Sequence, residues 1–182
     1  MHGDRKKTEA LSMDIYHRSL WLTIINATMI GRALGRAFPP SRRRNRIRLY
    51  KKLTIEEMAR LSAKMDDRTL RRRDIHRSLD KVWNAIPGIS FGQAQKGLNV
   101  LLKVHWFLYH AGHAIGAELD CPLDSKVLRS LGGRPTSLAR IDRSYYMAKQ
   151  EEIMSHSQLR GEHRVEYDRI WDEDHLRDEG LL

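Results

Sequence analysis

One segment of the chain has to be buried, and the rest of the fold must form around it. Ser90 and Gln93 stand three apart, the spacing of a capping box, and an apolar run follows to about Gly112. At 100° per residue, Leu98, Leu101, Leu102, Leu108 and Tyr109 share one side of the resulting helix. Lys96, Asn99, Lys103 and His110 form a narrow stripe on the other, with Phe107 among them. A helix this apolar belongs in a core. Its basic stripe is then either a solvated face or the wall of a wet cleft, and Trp106 and Phe107 beside it suit the cleft.

The surrounding sequence reads as more helices separated by breakers, with no alternating strand. A first helix is expected from about Ala10 to Leu34, ended by Gly35 and Pro39-Pro40. Ser41–Lys52 reads as a basic loop and helix start, and Thr54 with Glu57 as a capping box opening Ile55–Met65. Asp67 is a candidate cap for a helix carrying Leu70, Ile75, Leu79, Val82, Trp83 and Ile86, closed by Pro87-Gly88. Asp120-Cys121-Pro122 resembles a helix start with Pro in the first turn, the helix ending at Gly132-Gly133. Thr136 or Ser137 would cap another to about Arg160, and a short acidic helix carries Val165, Ile170 and Trp171. The expectation is one all-α domain over 1–182: a basic half (1–80), a hairpin and chemical segment (86–128), and C-terminal helices (136–182).

Charge narrows the partners. Residues 1–80 hold 20 Lys/Arg against 9 Asp/Glu, whereas residues 81–182 hold 13 against 14. A basic half of this kind attracts polyanions, and Arg42, Arg43, Arg44 and Arg46 are the candidate phosphate contacts. The arginines do not line one lipid-facing helix, and no run reaches the length of a membrane span, so nucleic acid is expected rather than membrane. The opening Met-His-Gly-Asp-Arg-Lys-Lys is not followed by a signal-like segment, and Cys121 is the only cysteine, so a cytoplasmic, reducing setting is expected.

Three groups carry possible chemistry. Ile86-Pro87-Gly88-Ile89 makes a tight turn between two helices, whose amides, with Ser90 at the next N-terminus, can hold a phosphate. Lys96 on an apolar helix is a candidate nucleophile, with Asp124 either its carboxylate partner or simply a helix cap. His110 and His113, followed by Glu118 and Asp120, offer two imidazoles and a carboxylate, the set for a metal-dependent nuclease, although no metal is expected. His105 reads as a core histidine, and Arg71 with His76 as a chance match to a ribonuclease motif. Trp83, Trp106 and Tyr109 are candidate stacking residues or core.

Gln95-Lys96, Lys103 seven residues on, and Pro122-Leu123-Asp124-Ser125-Lys126-Val127 resemble the active-site region of the archaeal 8-oxoguanine DNA glycosylases. These are a divergent branch of the helix-hairpin-helix DNA glycosylase superfamily, and the resemblance covers about 40 residues. It implies two helical lobes around a base-binding cleft, with Lys96 as nucleophile, Asp124 as catalytic aspartate and Lys103 in the pocket. Gln95, Asn99, Trp106 and Asn26 are the further pocket candidates, and Gly88 and Ser90 the hairpin contacts. The implied activity is base excision from double-stranded DNA with abasic-site lyase chemistry, by a monomer needing no cofactor, in repair or antiphage defence. The alternative is a non-catalytic nucleic-acid-binding protein. The hairpin departs from the family's Gly-x-Gly form, which leaves the base itself open.

Overall fold

The computed structural model describes residues 15–34, 37–134, 136–169, 173, 177 and 180. All regular structure among them is helical. Helix α1 (15–25) runs directly into a π-helical segment, Asn26–Leu34, with Trp21, Ile25 and Met29 buried. Then come α2 (Pro40–Asp66), α3 (Arg72–Ala85), α4 (Phe91–Tyr109), α5 (Ser125–Ser130) and α6 (Arg143–Leu159). Short 3-10 turns lie at Ala114–Glu118, Leu138–Arg140 and Arg164–Glu166.

Helix α4 is the axis of the fold. It packs against α2, α3, α6, the π segment and the 138–140 turn. Leu98, Leu101 and Leu102 are buried, as the apolar pattern requires. Leu108 and Tyr109 differ from expectation: both are exposed, together with Phe107. Apolar residues surround the last turn of α4 on every side, and a core can cover only some of them. Gly97 permits the crossing with α2, because a Cβ there would fall 1.8 Å from the Tyr50 hydroxyl oxygen. That hydroxyl donates to the Gln93 carbonyl at 3.3 Å.

Several expected boundaries moved. Pro40 does not end a helix but opens one, at the position where its missing N–H costs nothing, and α2 then continues unbroken for 27 residues. Thr54 and Glu57 therefore lie inside α2 on its buried face, where Glu57 accepts from Arg60, Ser78 and Lys81. Their capping-box spacing had no breaker before it. Asp67 closes α2 instead of opening α3. The start of α3 is capped by Asp74, which accepts from the Arg71 amide, and by Glu118, which accepts from the Arg72 amide.

The largest shift is at 120–124. Pro122 does not begin a helix; α5 starts at Ser125, with Asp124 as its cap. Two glutamines hold the preceding segment extended by pairing with its backbone as a neighbouring strand would. Gln150 bonds both the amide and the carbonyl of Cys121 (3.0 and 2.7 Å), and Gln95 bonds both of Leu123 (3.1 and 2.8 Å). The helix expected from Thr136 to Arg160 is split: Ser137 caps the 138–140 turn, and Asp142 opens α6. Val165 falls in a 3-10 turn, and the acidic helix expected around Ile170 and Trp171 lies outside the described residues.

Candidate active site

The clamped segment delivers Asp124 to Lys96. Lys96 Nζ donates to Asp124 Oδ2 at 2.8 Å, across 28 residues of sequence. The two oxygens of Asp124 are divided between tasks. Oδ1 accepts from the Lys126 and Val127 amides (2.9 and 3.0 Å) as the cap of α5, leaving Oδ2 for the lysine. The capping and carboxylate-partner readings of Asp124 are therefore both satisfied in one side chain. Burial pushes this carboxyl's pKa up, but the Lys96 ammonium and the two amides more than reverse that and hold it below the usual range.

The pair opens onto two adjoining hollows of about 290 and 490 Å3, which share Thr28, Lys96, Asp124 and Lys126. Pockets for small molecules fall in the range of about 300–1,000 Å3. The first hollow continues to Lys103 and Asp168, which are ion-paired at 2.5 Å, and to Val100 and Val104. The second is bounded by Ala27, Ser125, Thr136, Ser137 and Leu138. The basic stripe of α4 is thus a cleft wall at Lys96 and Lys103. Cys121 behind it is fully buried, its thiol pushed well up by that burial, so it is no rival nucleophile.

The other sequence candidates divide. Gln95 and Asn99 are fully buried behind the pair and line neither hollow. Gln95 holds the Leu123 backbone, while the Asn99 amide donates to Gln95 and to the Tyr146 hydroxyl (3.2 and 2.9 Å). They act through Asp124's segment, and Asn99 belongs to the core side of α4 rather than to its stripe. Asn26 is exposed, whereas Ala27 and Thr28 of the π segment reach the cleft. Trp106 is buried and borders a separate apolar hollow with Lys103, Val104 and Phe107. Trp83 packs edge-on against Phe91, and Tyr109 against His17. No aromatic ring borders the two hollows beside Lys96 among the described residues, so these three do not sandwich a base there.

Thr28, Lys126 and Asp168 were missed as site residues. Lys126 lay inside the quoted motif; the spacing of Asp168 and Thr28 gives no sign that distant segments meet at one wall.

At the hairpin, Gly88 is exposed with φ +85°, a conformation that suits glycine. An Arg46 guanidinium nitrogen lies 3.0 Å from where a Cβ at 88 would sit, so the basic start of α2 lies against the turn. The amides expected to take a phosphate are largely occupied internally. Ile89 donates to Ile86, Ser90 to the Gln93 side chain, Gly92 to Ile141 and Gln93 to the Ser90 hydroxyl. The Ser90 hydroxyl itself donates to Leu138. Arg42, Arg43 and Arg44 are exposed, and none has an acidic partner among the described residues. Farther along, Arg60, Lys64 and Arg72 are each paired with carboxylates, so part of the first half's positive charge is neutralised.

The nuclease set does not assemble. His113 Nδ1 caps the 114–118 turn and Glu118 caps α3. Asp120 is enclosed by His76, Arg72, Arg164 and Tyr146, a buried structural network that also absorbs His76. No helix among the described residues is long and apolar enough to cross a membrane. No protein-family model, curated protein or solved structure matches the chain, so the functional reading rests on this geometry and on the motif.

Proposed function

We propose that the protein is a DNA glycosylase of the helix-hairpin-helix kind, excising a modified or damaged base from double-stranded DNA with associated abasic-site lyase activity. One observation carries the reading: Lys96 Nζ and Asp124 Oδ2 meet at 2.8 Å on the wall of a cleft large enough for an everted nucleotide. Such an enzyme needs an amine that can reach the sugar and a carboxylate that stays ionised beside it. The α5 cap keeps Asp124 ionised and fixed, and the glutamine clamp keeps it in register.

In this reading the exposed arginines of α2, with Arg46 beside the Gly88 turn, grip phosphates while the nucleotide swings into the cleft. Asp124 stabilises positive charge as the glycosidic bond lengthens. Lys96 gives up a proton to solvent water at the open cleft, Asp124 stays ionised, and the freed electron pair of the amine attacks C1′. The C1′–N bond breaks, and the base leaves with the bonding pair and takes up a proton. Breaking C1′–O4′ opens the sugar as a Schiff base on Lys96. Loss of a C2′ proton then expels the 3′ phosphate and cuts the strand.

The test is mass spectrometry of bases released from DNAs carrying different modified bases. Release of a free base, lost in Asp124→Asn, is expected; Asn caps helices about as well as Asp, so the variant keeps α5 while removing the charge. The closed Lys96–Asp124 ion pair also suits a non-catalytic DNA-binding protein, in which it merely ties α5 to α4. Retained DNA binding with no base released from any such substrate would favour that reading.

A further inference from the structure

At the far end of α4 stands a second cluster that the cleft does not use. His110 Nε2 lies 3.0 Å from Asp66 Oδ1, and His105 Nε2 lies 3.8 Å from the same oxygen. One ligand atom from each of Asp66, His105 and His110 falls within 4.8 Å of the others. His105 is 2% exposed, and neither of its ring nitrogens has a hydrogen-bond partner. The Nε2 of His17, on α1, is likewise buried and unpartnered, and its ring stands edge-on to His105 at 5.5 Å between centroids. Buried polar atoms without partners cost about 1–3 kcal/mol each, so two such imidazoles side by side need a reason.

We infer that Asp66, His105 and His110, with His17 beside them, form a site for a divalent transition metal of the zinc class. Ligands at about 2.1 Å from a tetrahedral ion stand roughly 3.4 Å apart, and the two measured separations straddle that value. Imidazoles with one carboxylate are the ligand set such ions take from proteins, and an octahedral oxygen-preferring ion would not choose it. Asp66 at the end of α2 supplies the compensating charge.

The site is separate from the cleft. His105 is nine residues beyond Lys96 on one helix, about 14 Å along its axis. Its role follows from what it joins: the end of α2, the end of α4 and, through His17, the helix α1 that continues into the π segment carrying Thr28. The ion would pin α1 to the core without touching the reacting atoms. The proposal stands whether or not the protein is a glycosylase.

The test uses the full chain, stripped with EDTA and titrated with Co2+. One equivalent is expected to bind with a tetrahedral visible absorption band, to be displaced by Zn2+, and to raise the Tm. The double variant Asp66→Ala/His110→Ala removes two partly exposed ligands. It should bind at least ~100-fold more weakly, exceeding the ~10–100-fold cost of losing an outer partner, while His113→Ala should bind as wild type does. X-ray absorption of the wild-type zinc form should show at least two imidazoles and an oxygen, which keeps the proposal testable if the double variant does not fold. No stoichiometric binding, wild-type affinity in the double variant, or a shell without histidine would overturn it.

Discussion

The two ends of α4 carry the same kinds of residue and treat them in opposite ways. Near its start, the polar and charged side chains all bond into one network, with only the Asn99 Oδ1 left over: Lys96 to Asp124, Gln95 to Leu123, and Asn99 to Gln95 and Tyr146. Near its end, His105 and His17 keep buried nitrogens without partners beside the His110–Asp66 pair. A bonded network fixes a geometry, and the first end reads as a site preorganised for a reaction at its mouth. Unbonded nitrogens signal a missing partner, and the second end reads as a site completed by an ion. Polar residues on an apolar helix are thus not one category, and whether their hydrogen bonds close tells the two apart.

Breaking the first end should have the largest effect. Asp124→Asn should lower base release by at least ~100-fold, the scale for removing a preorganised electrostatic group, with circular dichroism unchanged. Next is the network behind it. Asp120→Ala removes the buried carboxylate that binds Arg72, His76, Arg164 and Tyr146 and should cost about 3–5 kcal/mol in urea unfolding. Gln95→Met keeps the volume but orphans the Leu123 amide and carbonyl, at about 1–3 kcal/mol for each buried group. It should slow base release while DNA affinity holds, because Asp124 loses its register and α2 is untouched. If Gln95→Met released base at the wild-type rate, the clamp would be only structural.

Acid should act in one direction. The pKa values of Asp120 and Asp124 are both held below the ordinary carboxylate value, in each case because partner cations and hydrogen bonds outweigh burial. A folded pKa below the unfolded one adds stability that is fully present above the unfolded value of about 3.9. That stability is lost as pH falls through the lowered range. A urea midpoint that declines gently below about pH 6.5 is expected, because the buried His105 imidazole, its pKa lowered to about 4, takes up a proton more readily when unfolded. It should drop further below about 4 as the carboxylates protonate; for Asp120→Ala the second drop should be shallower. The smallest effect belongs to the arginines. Arg42→Ala with Arg44→Ala should weaken DNA binding without altering base preference and reduce the salt dependence of log K by roughly one unit per contact.

The sequence carried much of this in its strongest local signals. The Ser90 capping box and the apolar run after it specified α4 and its burial, and Lys96 pointed to Asp124 because an amine that attacks a sugar needs a carboxylate to stabilise the developing charge, with helix capping as that aspartate's other reading. What failed was local grammar applied without tertiary context. Thr54 and Glu57 have capping-box spacing, yet α2 runs through them because nothing before them stops a helix. Pro122 follows a cap-like Asp120, yet that aspartate is consumed by two arginines and a histidine. Asn99 falls on the polar stripe by angle but turns inward to Tyr146. The meeting of Asp66 with His105 and His110 joins the ends of two helices, and that pairing is visible only once they cross.

The most direct measurement is covalent trapping by borohydride on DNA carrying an abasic site, made with wild type and Lys96→Ala. Wild type should form a stable protein–DNA adduct, and the alanine variant should bind the same DNA and form none. An alanine variant that traps as well as wild type would place the Schiff base on another amine, and the central pairing of Lys96 with Asp124 would not be the reactive one.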